Sequence, residues 1–430
     1  MTSWRRAVPD WPRRRYNTFT GTNSWREWRT AWGDLIAPGR ADPDAIRGFE
    51  AALARAAGCR QAFSFGAGRM GLYLLLQALD LKRGDEVILP GFTCVVVPNA
   101  LAYLGVRPVF VDVDPVTFNM DPALVERAIS PRTRAIYLQH SFGVSCRAEE
   151  LKRLATRHGL RLIEDAAHSL GALHQGRPHG SWGDVSFFST DRTKVINTHL
   201  GGAVATSDDA LALRLAELQR QTPFPSATLV RRVLLSFLAE FFWYAPSRLW
   251  LGRPIVSVLR RLGLLFYWTD EPFVELPAGY PYPVRLSAAQ ARIGTSQLAG
   301  LPPNLAHRRR LAGWLEQRIG WYGAALPDPL EDQAWLRYSF LVEDRAEFDR
   351  RLRARFDVPF WFTSVLYGRE RDLELLGYQP GSCPVAEKVA RHIVNLPTHL
   401  RISPAALEEL WSEHGVWIQG QVRRVAELPA

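Results

Sequence analysis

Lysine is scarce in this 430-residue chain, and one lysine has a setting that could support chemistry. Arginine supplies nearly all of the 53 basic side chains, and the lysines are Lys82, Lys152, Lys194 and Lys388. Lys194 follows the apolar run VSFFS and precedes a second β-type run that opens at Gly201-Gly202. A loop between two buried strands holds a side chain rigidly at the edge of a cavity. A partly desolvated lysine at such a place can lose its proton and act as a nucleophile.

A neutral lysine amine reacts with aldehydes, and this reaction is how proteins hold pyridoxal phosphate (PLP) covalently. Lys194 is therefore a candidate catalytic residue. An ordinary surface lysine is the alternative, and the low lysine content of the chain weakens that alternative without removing it.

Three further features could complete a PLP site. The glycine-rich turn GAGRM (66–70) precedes a predicted helix, whose first N–H groups and dipole favour a phosphate. Asp165 could pair with the protonated pyridine nitrogen, and His168 could hydrogen-bond the ring hydroxyl. Ser189 could add a hydroxyl to the phosphate. Each feature also has an ordinary structural explanation, as a connecting turn, a helix cap or a structural histidine.

Alternating strand and helix patterns must position these side chains. Five segments have the pattern of a β-strand: QAFSF, DEVILPGF, RPVFVDVD, RAIYLQHSFG and GLRLIED. Apolar residues at helical spacing follow most of these segments. Such alternation predicts an α/β fold with a mostly parallel sheet flanked by helices. Ligands in open α/β sheets bind beyond the carboxyl ends of the strands, which is where the candidate residues fall.

Three regions are predicted along the chain. Residues 1–45 form an N-terminal arm, 46–285 a large domain, and 286–430 a smaller α+β domain with two helices separated at Pro302-Pro303. The arm is rich in tryptophan and arginine. We expect it to strap onto its own domain, and a contact with a partner subunit or a phosphorylated surface is the alternative.

An apolar segment interrupts the large domain over about 222–280. Its longest apolar run, 233–245, is broken by Glu240 and is shorter than the ~20 residues that a membrane span needs. The segment is predicted to be a helix pair at an interdomain or subunit interface. Peripheral membrane contact through 229–268 is the alternative, because arginines punctuate the apolar residues.

Charge and cysteine content limit the class of protein. The net charge of +10 fits nucleic acid, an anionic membrane surface or phosphorylated small molecules, and does not choose among them. The four cysteines are widely spaced and form no CxxC pair, so neither a disulfide framework nor a metal site is predicted. The N-terminal residues contain no apolar segment of the signal-peptide kind, which favours a cytoplasmic enzyme.

Six segments in their order along the chain carry a resemblance to a known family. They are residues 84–101, 108–129, 162–172, 180–206, 285–298 and 383–403. In these segments the chain resembles the DegT/DnrJ/EryC1/StrS family of PLP-dependent aminotransferases, which act mainly on nucleotide-linked keto sugars. The resemblance implies the fold type I architecture of PLP-dependent transferases and homodimers with shared active sites, with no role for nucleic acid.

The resemblance also implies roles for individual residues. Lys194 matches the lysine that binds the cofactor covalently, Asp165 matches the partner of the pyridine nitrogen, and His168 matches the residue at the ring hydroxyl. Ser189 matches the hydroxyl that binds the phosphate. Gly68 and Arg69 fall where the family usually has Gly-Thr at the same phosphate.

Four positions depart from the family pattern. Arg69 could give the phosphate a charge-assisted contact in place of the usual threonine. Cys94 stands where an aromatic residue often stacks on the ring, so that Phe92 or another residue must provide any stacking. Val195 and Pro283 each replace a frequent asparagine. The connection over 222–280 is also longer and more apolar than usual.

The predicted function is the transfer of an amino group from an amino acid, expected to be glutamate, to a keto sugar that is nucleotide-linked. Such sugars serve surface polysaccharides, glycolipids or secondary metabolites. A sugar dehydratase or a transaminase for non-sugar carbonyls is one alternative, although Lys194 argues against the dehydratase branch, in which histidine replaces the lysine. A membrane-associated binding protein of a glycan assembly pathway is the other.

Overall fold

The computed structural model describes residues 14–17, 19, 21–266, 275–277, 281–356 and 361–429. The first 13 residues of the predicted arm, with Trp4 and Trp11, and residues 267–274 and 278–280 of the apolar segment lie outside this part. The described strands are β1 (Gln61–Phe65), β2 (Glu86–Pro90), β3 (Thr93–Cys94), β4 (Arg107–Val111), β5 (Thr133–Gln139), β6 (Arg161–Asp165), β7 (Leu173–His174), β8 (Arg177–Pro178), β9 (Val185–Ser189), β10 (Gly202–Thr206), β11 (Arg337–Leu341), β12 (Leu366–Tyr367) and β13 (Ile393–Pro397).

The α-helices of the same part of the chain alternate with these strands in its first half and dominate its second half. They are α1 (Trp25–Leu35), α2 (Pro43–Ala57), α3 (Gly68–Ala78), α4 (Val96–Ala102), α5 (Pro122–Ala128), α6 (Ala148–Arg157), α7 (Asp209–Gln221), α8 (Ala227–Trp243), α9 (Leu249–Arg261), α10 (Ala288–Ala299), α11 (Leu301–Ile319), α12 (Arg345–Leu352), α13 (Pro384–His392) and α14 (Pro404–Gln421).

The central sheet has seven strands in the order β1-β10-β9-β6-β5-β2-β4. The strands from β9 to β4 pair in parallel, whereas β10 pairs antiparallel with both β9 and β1. The carboxyl ends of β1, β5, β6 and β9 therefore lie at the same edge of the sheet. The predicted α/β fold with a mostly parallel sheet is confirmed.

Alternate residues of each strand pack on opposite faces of the sheet, as the twofold period of a strand requires. Ala135 and Tyr137 of β5 face a core shared with α3, α4 and α7. Ile136 and Leu138 face a second core shared with α5 and α6. Helices on both faces bury β2 and β10 throughout and β5 and β6 except at one residue each, which explains why these strands read as nearly continuous apolar runs.

The predicted apolar helix pair is present as α8 and α9. One face of α8 packs against α1 and α10, with Val230, Leu234 and Phe237 in the shared core. The helix α1, which follows the N-terminal arginines, begins with a capping box formed by Ser24 and Glu27. Its residue Ala31 lies in the same core, so that α1 packs on its own chain. None of the described helices has the length and apolar character to cross a membrane.

The C-terminal part contains the antiparallel pair β11–β13, covered by α11, α12, α13 and α14. The two helices predicted around Pro302-Pro303 are α10 and α11. The prolines occupy the first turn of α11 rather than the gap itself, because a proline at a helix start lacks only an N–H that would be unpaired there anyway. Helix α10 packs against α2.

Candidate active site

A cavity of about 240 Å³ lies at the carboxyl edge of the central sheet. All six residues that the sequence predicted for the cofactor line this cavity: Gly68, Arg69, Asp165, His168, Ser189 and Lys194. They come from three places in the chain, the start of α3, the end of β6, and the segment from β9 into the following loop. The parallel arrangement of β1, β6 and β9 brings these places together.

The start of α3 has the properties of a phosphate site. Its N-cap, Ala67, has no side chain that could cap the helix, so the first N–H groups remain available for a ligand. Gly68 is the first helical residue, and a Cβ at this position would lie 2.9 Å from Cβ of Ser189. Glycine therefore lets the helix start approach the Ser189 hydroxyl, and the two can face one anion together.

Asp165 ends β6 and is almost completely buried. Its Oδ1 accepts a hydrogen bond from the Ala167 N–H at 2.9 Å, and its Oδ2 accepts one from the Tyr137 hydroxyl at 2.8 Å. Burial raises the pKa of this carboxyl, while the two donors and the charge of Lys194 oppose the rise. Each carboxylate oxygen keeps a further lone pair for a cationic N–H donor in the cavity.

His168 follows one turn after Asp165. Its Nδ1 accepts a hydrogen bond from the N–H of Phe142 at 3.2 Å, which assigns the proton of the neutral ring to Nε2. Burial, with a smaller effect from Lys194, lowers the pKa of His168 well below its usual value. The ring stacks on Trp361, with centroids 5.2 Å apart. His168 is therefore a neutral donor held in a fixed orientation.

Hydrogen bonds from distant helices fix the loop that carries Lys194. The N–H of Lys194 donates to the carbonyl oxygen of Asp191 at 3.0 Å. Gln297 of α10 pairs with the backbone of Asn197, accepting from its N–H at 2.7 Å and donating to its carbonyl at 2.6 Å. Asn304 of α11 donates to the Val195 carbonyl at 2.8 Å. The lysine backbone is thus rigid although it lies in a loop.

The ammonium of Lys194 differs from those of the other lysines. Lys82 pairs with Asp80, Lys152 donates to Asp184 at 2.7 Å, and Lys388 donates to the Leu428 carbonyl at 3.2 Å. Nζ of Lys194 instead lies 4.7 Å from the ring centroid of Trp361. Burial lowers the pKa of Lys194, and the charges of Asp191 and Asp165 counteract part of that effect.

These features fit PLP. The cofactor presents a phosphate, an aldehyde and a ring nitrogen that gains a proton, and the cavity offers each a complementary group. The close approach of Gly68 to Ser189 suits the phosphate, a lysine of lowered pKa suits the aldehyde, and a buried carboxylate suits the cationic nitrogen. Among the described residues, no cluster of His, Cys, Asp or Glu has the composition of a metal site.

The C-terminal part of the chain supplies several of the aromatic residues that line the cavity. Cys94 lines the cavity, as its position in the sequence implies, whereas Phe92 is completely buried behind it against Phe118, Phe142 and Phe362. Trp361 and Tyr367 line the cavity instead. No local pattern indicated that Trp361 and Tyr367 line the cavity, because they follow Lys194 by more than 160 positions along the chain.

Sequence reasoning also missed Arg337 and Tyr137. Arg337 begins β11 and lines the cavity, and a signal for it was present, since it is the charged residue inside the buried strand RYSFL. Tyr137 supports Asp165 from the neighbouring strand β5. Its position is explained by the pairing of β5 with β6, in which Gln139 lies opposite Asp165.

The apolar helix pair reaches the cavity through one buried acid. Glu240 of α8 is fully buried, and its Oε1 accepts from Arg192 at 2.8 Å and from Arg260 of α9. Its Oε2 lies 3.7 Å from Nδ1 of His199. Arg192 and His199 both line the cavity. Burial alone would lower the pKa of Arg192, but the charges of Glu240 and Asp191 and the hydrogen bond to Glu240 together raise it.

Fold and site together define the class of protein: an α/β protein of the fold type I PLP-dependent transferase architecture. The family model of the DegT/DnrJ/EryC1/StrS aminotransferases matches residues 41–228 and 253–413. The chain belongs to this family, as its sequence motifs predicted. The unmatched residues 229–252 cover most of α8 and the start of α9.

Two curated relatives carry the names of enzymes for nucleotide-linked sugars. A GDP-perosamine synthase of Caulobacter vibrioides is 35% identical over 281 residues, which is 65% of this chain and 63% of the relative. A UDP-N-acetyl-3-dehydro-alpha-D-glucosamine 3-aminotransferase of Acidithiobacillus ferrooxidans is 40% identical over 356 residues, 82% of each chain. The matched segment covers less than two thirds of several relatives, among them the Caulobacter protein.

Solved structures share the fold over nearly the whole chain. DesV of S. venezuelae superposes with a TM-score of 0.70 at 26% identity, covering 94% of this chain and 98% of DesV. DesI, solved in the presence of its TDP-sugar product, superposes with a TM-score of 0.68 at 26% identity, covering 95% of this chain and 92% of DesI.

Proposed function

We propose that this protein is a PLP-dependent aminotransferase that moves an amino group from an amino acid, with glutamate as the expected donor, to a nucleotide-linked keto sugar. The observation that carries the proposal is the convergence of Lys194, Asp165 and the Gly68–Ser189 approach on one cavity. PLP, when bound, supplies the electron sink that lets a proton leave the carbon bearing the amino group.

The residues of the chain divide the work. Lys194 binds the aldehyde covalently and, once released, holds and delivers a proton at its Nζ. Asp165 keeps the ring nitrogen protonated. Ser189 and the first N–H groups of α3, at Gly68 and Arg69, bind the phosphate, and Arg69 adds a positive charge. His168 donates from Nε2 to the ring hydroxyl, and its lowered pKa keeps it neutral in that role.

The family and the names of the relatives support the substrate class. The relatives described above include enzymes named for GDP- and UDP-linked sugars, and DesI was solved with a TDP-sugar product. We propose that the product serves surface-polysaccharide, glycolipid or secondary-metabolite synthesis. The cavity is also rich in cations, with Arg69, Arg192, Lys194 and Arg337 in its wall, which suits an acceptor carrying a diphosphate.

We further propose that the protein is a cytoplasmic homodimer. We also propose that each chain divides after residues 45 and 285 into an N-terminal arm, a large domain and a small C-terminal domain. The exposed apolar residues of α9, including Trp250, Leu251 and Val258, suit contact with a second copy of the chain. Sedimentation of the purified protein tests the dimer, and the mass of a single chain would contradict it. Binding to anionic lipid vesicles through 229–268 would favour peripheral membrane contact for this segment instead.

A visible spectrum tests the proposed function. The protein reconstituted with PLP is expected to show the absorbance band of lysine-bound cofactor, and glutamate is expected to bleach it. The Lys194→Ala variant should lack the band and lose about 10²–10⁴-fold or more in turnover. The matched control Lys152→Ala removes an ion-paired surface lysine and should behave as the wild type. A band that persists in Lys194→Ala would contradict the assignment.

A further inference from the structure

Tyr137 is a buried tyrosine whose hydroxyl contacts the carboxylate of Asp165. The residue is 1% exposed, and its ring packs in the core that β5 shares with α3, α4 and α7. It lies behind Asp165 rather than in the wall of the cavity. Its hydroxyl donates to Oδ2 of Asp165 at 2.8 Å. Tyr137 can therefore act on a ligand in the cavity only through that carboxylate.

The pairing of β5 with β6 fixes this contact. In that parallel ladder Tyr137 lies opposite Ile163. Asp165 follows Ile163 by two residues, and side chains two residues apart in a strand share a face of the sheet. Tyr137 and Asp165 are therefore diagonal neighbours on one face. Both strands lie inside the seven-stranded sheet, so that the contact depends on backbone pairing and not on a loop.

The direction of the hydrogen bond follows from the burial of both groups. Burial, together with the charge of Asp165, raises the pKa of Tyr137 well above its usual value, so the hydroxyl keeps its proton and donates it. Burial also raises the pKa of Asp165, whereas the N–H of Ala167 and the hydroxyl of Tyr137 oppose that rise. The hydroxyl thus stabilises a negative charge that burial disfavours.

A ring nitrogen that pairs with Asp165 can share its proton in two ways. The proton can stay on the nitrogen, which leaves a pyridinium beside a carboxylate, or it can move to the oxygen, which leaves two neutral groups. A buried site favours the neutral pair, because both charges lose their hydration there. Hydrogen bonds donated to the carboxylate favour the charged pair, because they are strongest to an ionised acceptor.

We propose that Tyr137 is a positioning residue that keeps the shared proton on the ring nitrogen of the cofactor, by donating to Oδ2 of Asp165. The inference rests on the proposed function, because it requires PLP in the cavity with its ring nitrogen at Asp165. A protonated ring nitrogen withdraws electrons more strongly than a neutral one. The hydroxyl therefore makes the carbon that bears the amino group more acidic, although Tyr137 touches neither cofactor nor substrate.

Tyr137→Phe removes the hydroxyl and keeps the ring in the core. With PLP that carries an isotopic label at the ring nitrogen, the magnetic resonance signal of the wild type should be that of a pyridinium. In Tyr137→Phe the ratio of neutral to charged pairs should rise ~10-fold or more, the effect of one hydrogen bond to a charged group. The signal should move toward that of a neutral pyridine, and the infrared carbonyl band of a protonated carboxyl group should appear. A nitrogen signal that does not move overturns the proposal.

Tyr378→Phe is the matched control. Tyr378 is also completely buried, and its hydroxyl donates to Oε1 of Glu387 at 2.8 Å, away from the cavity. Both substitutions thus remove a buried hydroxyl that donates to a carboxylate, but only Tyr137→Phe should move the nitrogen signal. A signal that moves equally in both variants would reflect a general loss of packing and would overturn the proposal.

Single-turnover bleaching by glutamate separates this role from donor binding. In Tyr137→Phe the limiting rate should fall ~10-fold or more, while the half-saturating concentration of glutamate should stay near that of the wild type. A higher half-saturating concentration at an unchanged limiting rate overturns the proposal.

The wild type alone distinguishes the possible failures. A wild type that shows no band of lysine-bound cofactor overturns the proposed function, and the inference with it. A wild type that shows the band while its ring nitrogen gives the signal of a neutral pyridine overturns only the role of Tyr137, whatever the variants do.

Discussion

At the scale of single residues, two opposing influences act on the pKa of the Lys194 amine in the candidate site. Burial disfavours the charged form of Lys194, and the carboxylate of Asp191 restores part of its stability. Asp191 also holds the loop, since its Oδ1 accepts from the N–H of Thr193 at 3.2 Å. The same residue thus positions the lysine backbone and tunes the lysine amine.

The lowered pKa of Lys194 predicts the pH dependence of cofactor attachment. Only the neutral amine attacks an aldehyde, so the attachment rate should rise with pH and level off below the ~10.4 of a free lysine. Asp191→Asn keeps an oxygen that can accept from Thr193 but removes the negative charge. The pH at which the attachment rate reaches half of its maximum, the midpoint, should therefore fall further. Stopped-flow absorbance after mixing with PLP measures both.

The control for this prediction is Asp209→Asn on α7, an exposed aspartate paired with Arg60. It should leave the midpoint where the wild type has it. An attachment rate that levels off only near the value of a free lysine, or a midpoint that rises in Asp191→Asn, would contradict the argument.

At the scale of elements, the sequence predicted the parts of the site that local patterns encode. The strand ends at Asp165 and Ser189 and the helix start at Gly68 follow from periodicity and glycine placement, and the structure brings them together at one edge of the sheet. Trp361 was beyond such reasoning. It reaches the cavity only because the C-terminal part of the chain packs over it, and a local sequence pattern carries no record of that packing.

The sequence pattern also did not reveal that α8 contacts a residue of the cavity wall. In the sequence, Glu240 only interrupts an apolar run. In the structure, its carboxylate pairs with Arg192 of the Lys194 loop and with Arg260 of α9. Its charge is therefore a structural link between the helix pair and the loop of Lys194.

Glu240→Gln tests this link. The substitution leaves two largely buried guanidinium groups without their carboxylate, and we expect the free energy of unfolding to fall by about 3–5 kcal/mol. Denaturant unfolding measures the change. Glu217→Gln on α7 breaks an exposed pair with Arg220 and should leave the free energy of unfolding almost unchanged.

The pH dependence of this difference follows from the pKa of Glu240. Burial alone would raise that pKa, but Arg192, His199 and Arg260 lower it overall. A carboxyl whose pKa is lower in the folded state stabilises the protein above its unfolded pKa and loses the contribution as pH falls through the folded value. The gap between wild type and Glu240→Gln should therefore shrink in acid, and a gap that widens would contradict the assignment.

At the scale of the whole molecule, the positive net charge of the chain and the positive charges in the cavity wall both attract anions. The chain carries a net charge of +10, and four cationic side chains line the cavity. A field of this sign attracts anionic substrates over distances longer than any contact, and salt screens it.

The acceptor half-reaction should therefore depend on ionic strength. For a nucleotide diphosphate keto sugar, kcat/KM is expected to fall roughly 10-fold from low to high salt, because steering raises the encounter rate of oppositely charged partners. Glutamine, which has no net charge, serves as the control and should show little change in the donor half-reaction. Equal salt dependence of the two would contradict electrostatic attraction by the cavity.

The clamp on the lysine loop has a consequence for how the protein matures. Asn197 and Val195 are held by Gln297 and Asn304, residues that follow them by 100 and 109 positions. While the chain is being synthesised, the loop emerges from the ribosome long before the helices that fix it. We therefore expect the cofactor to load only after α10 and α11 have docked against the loop.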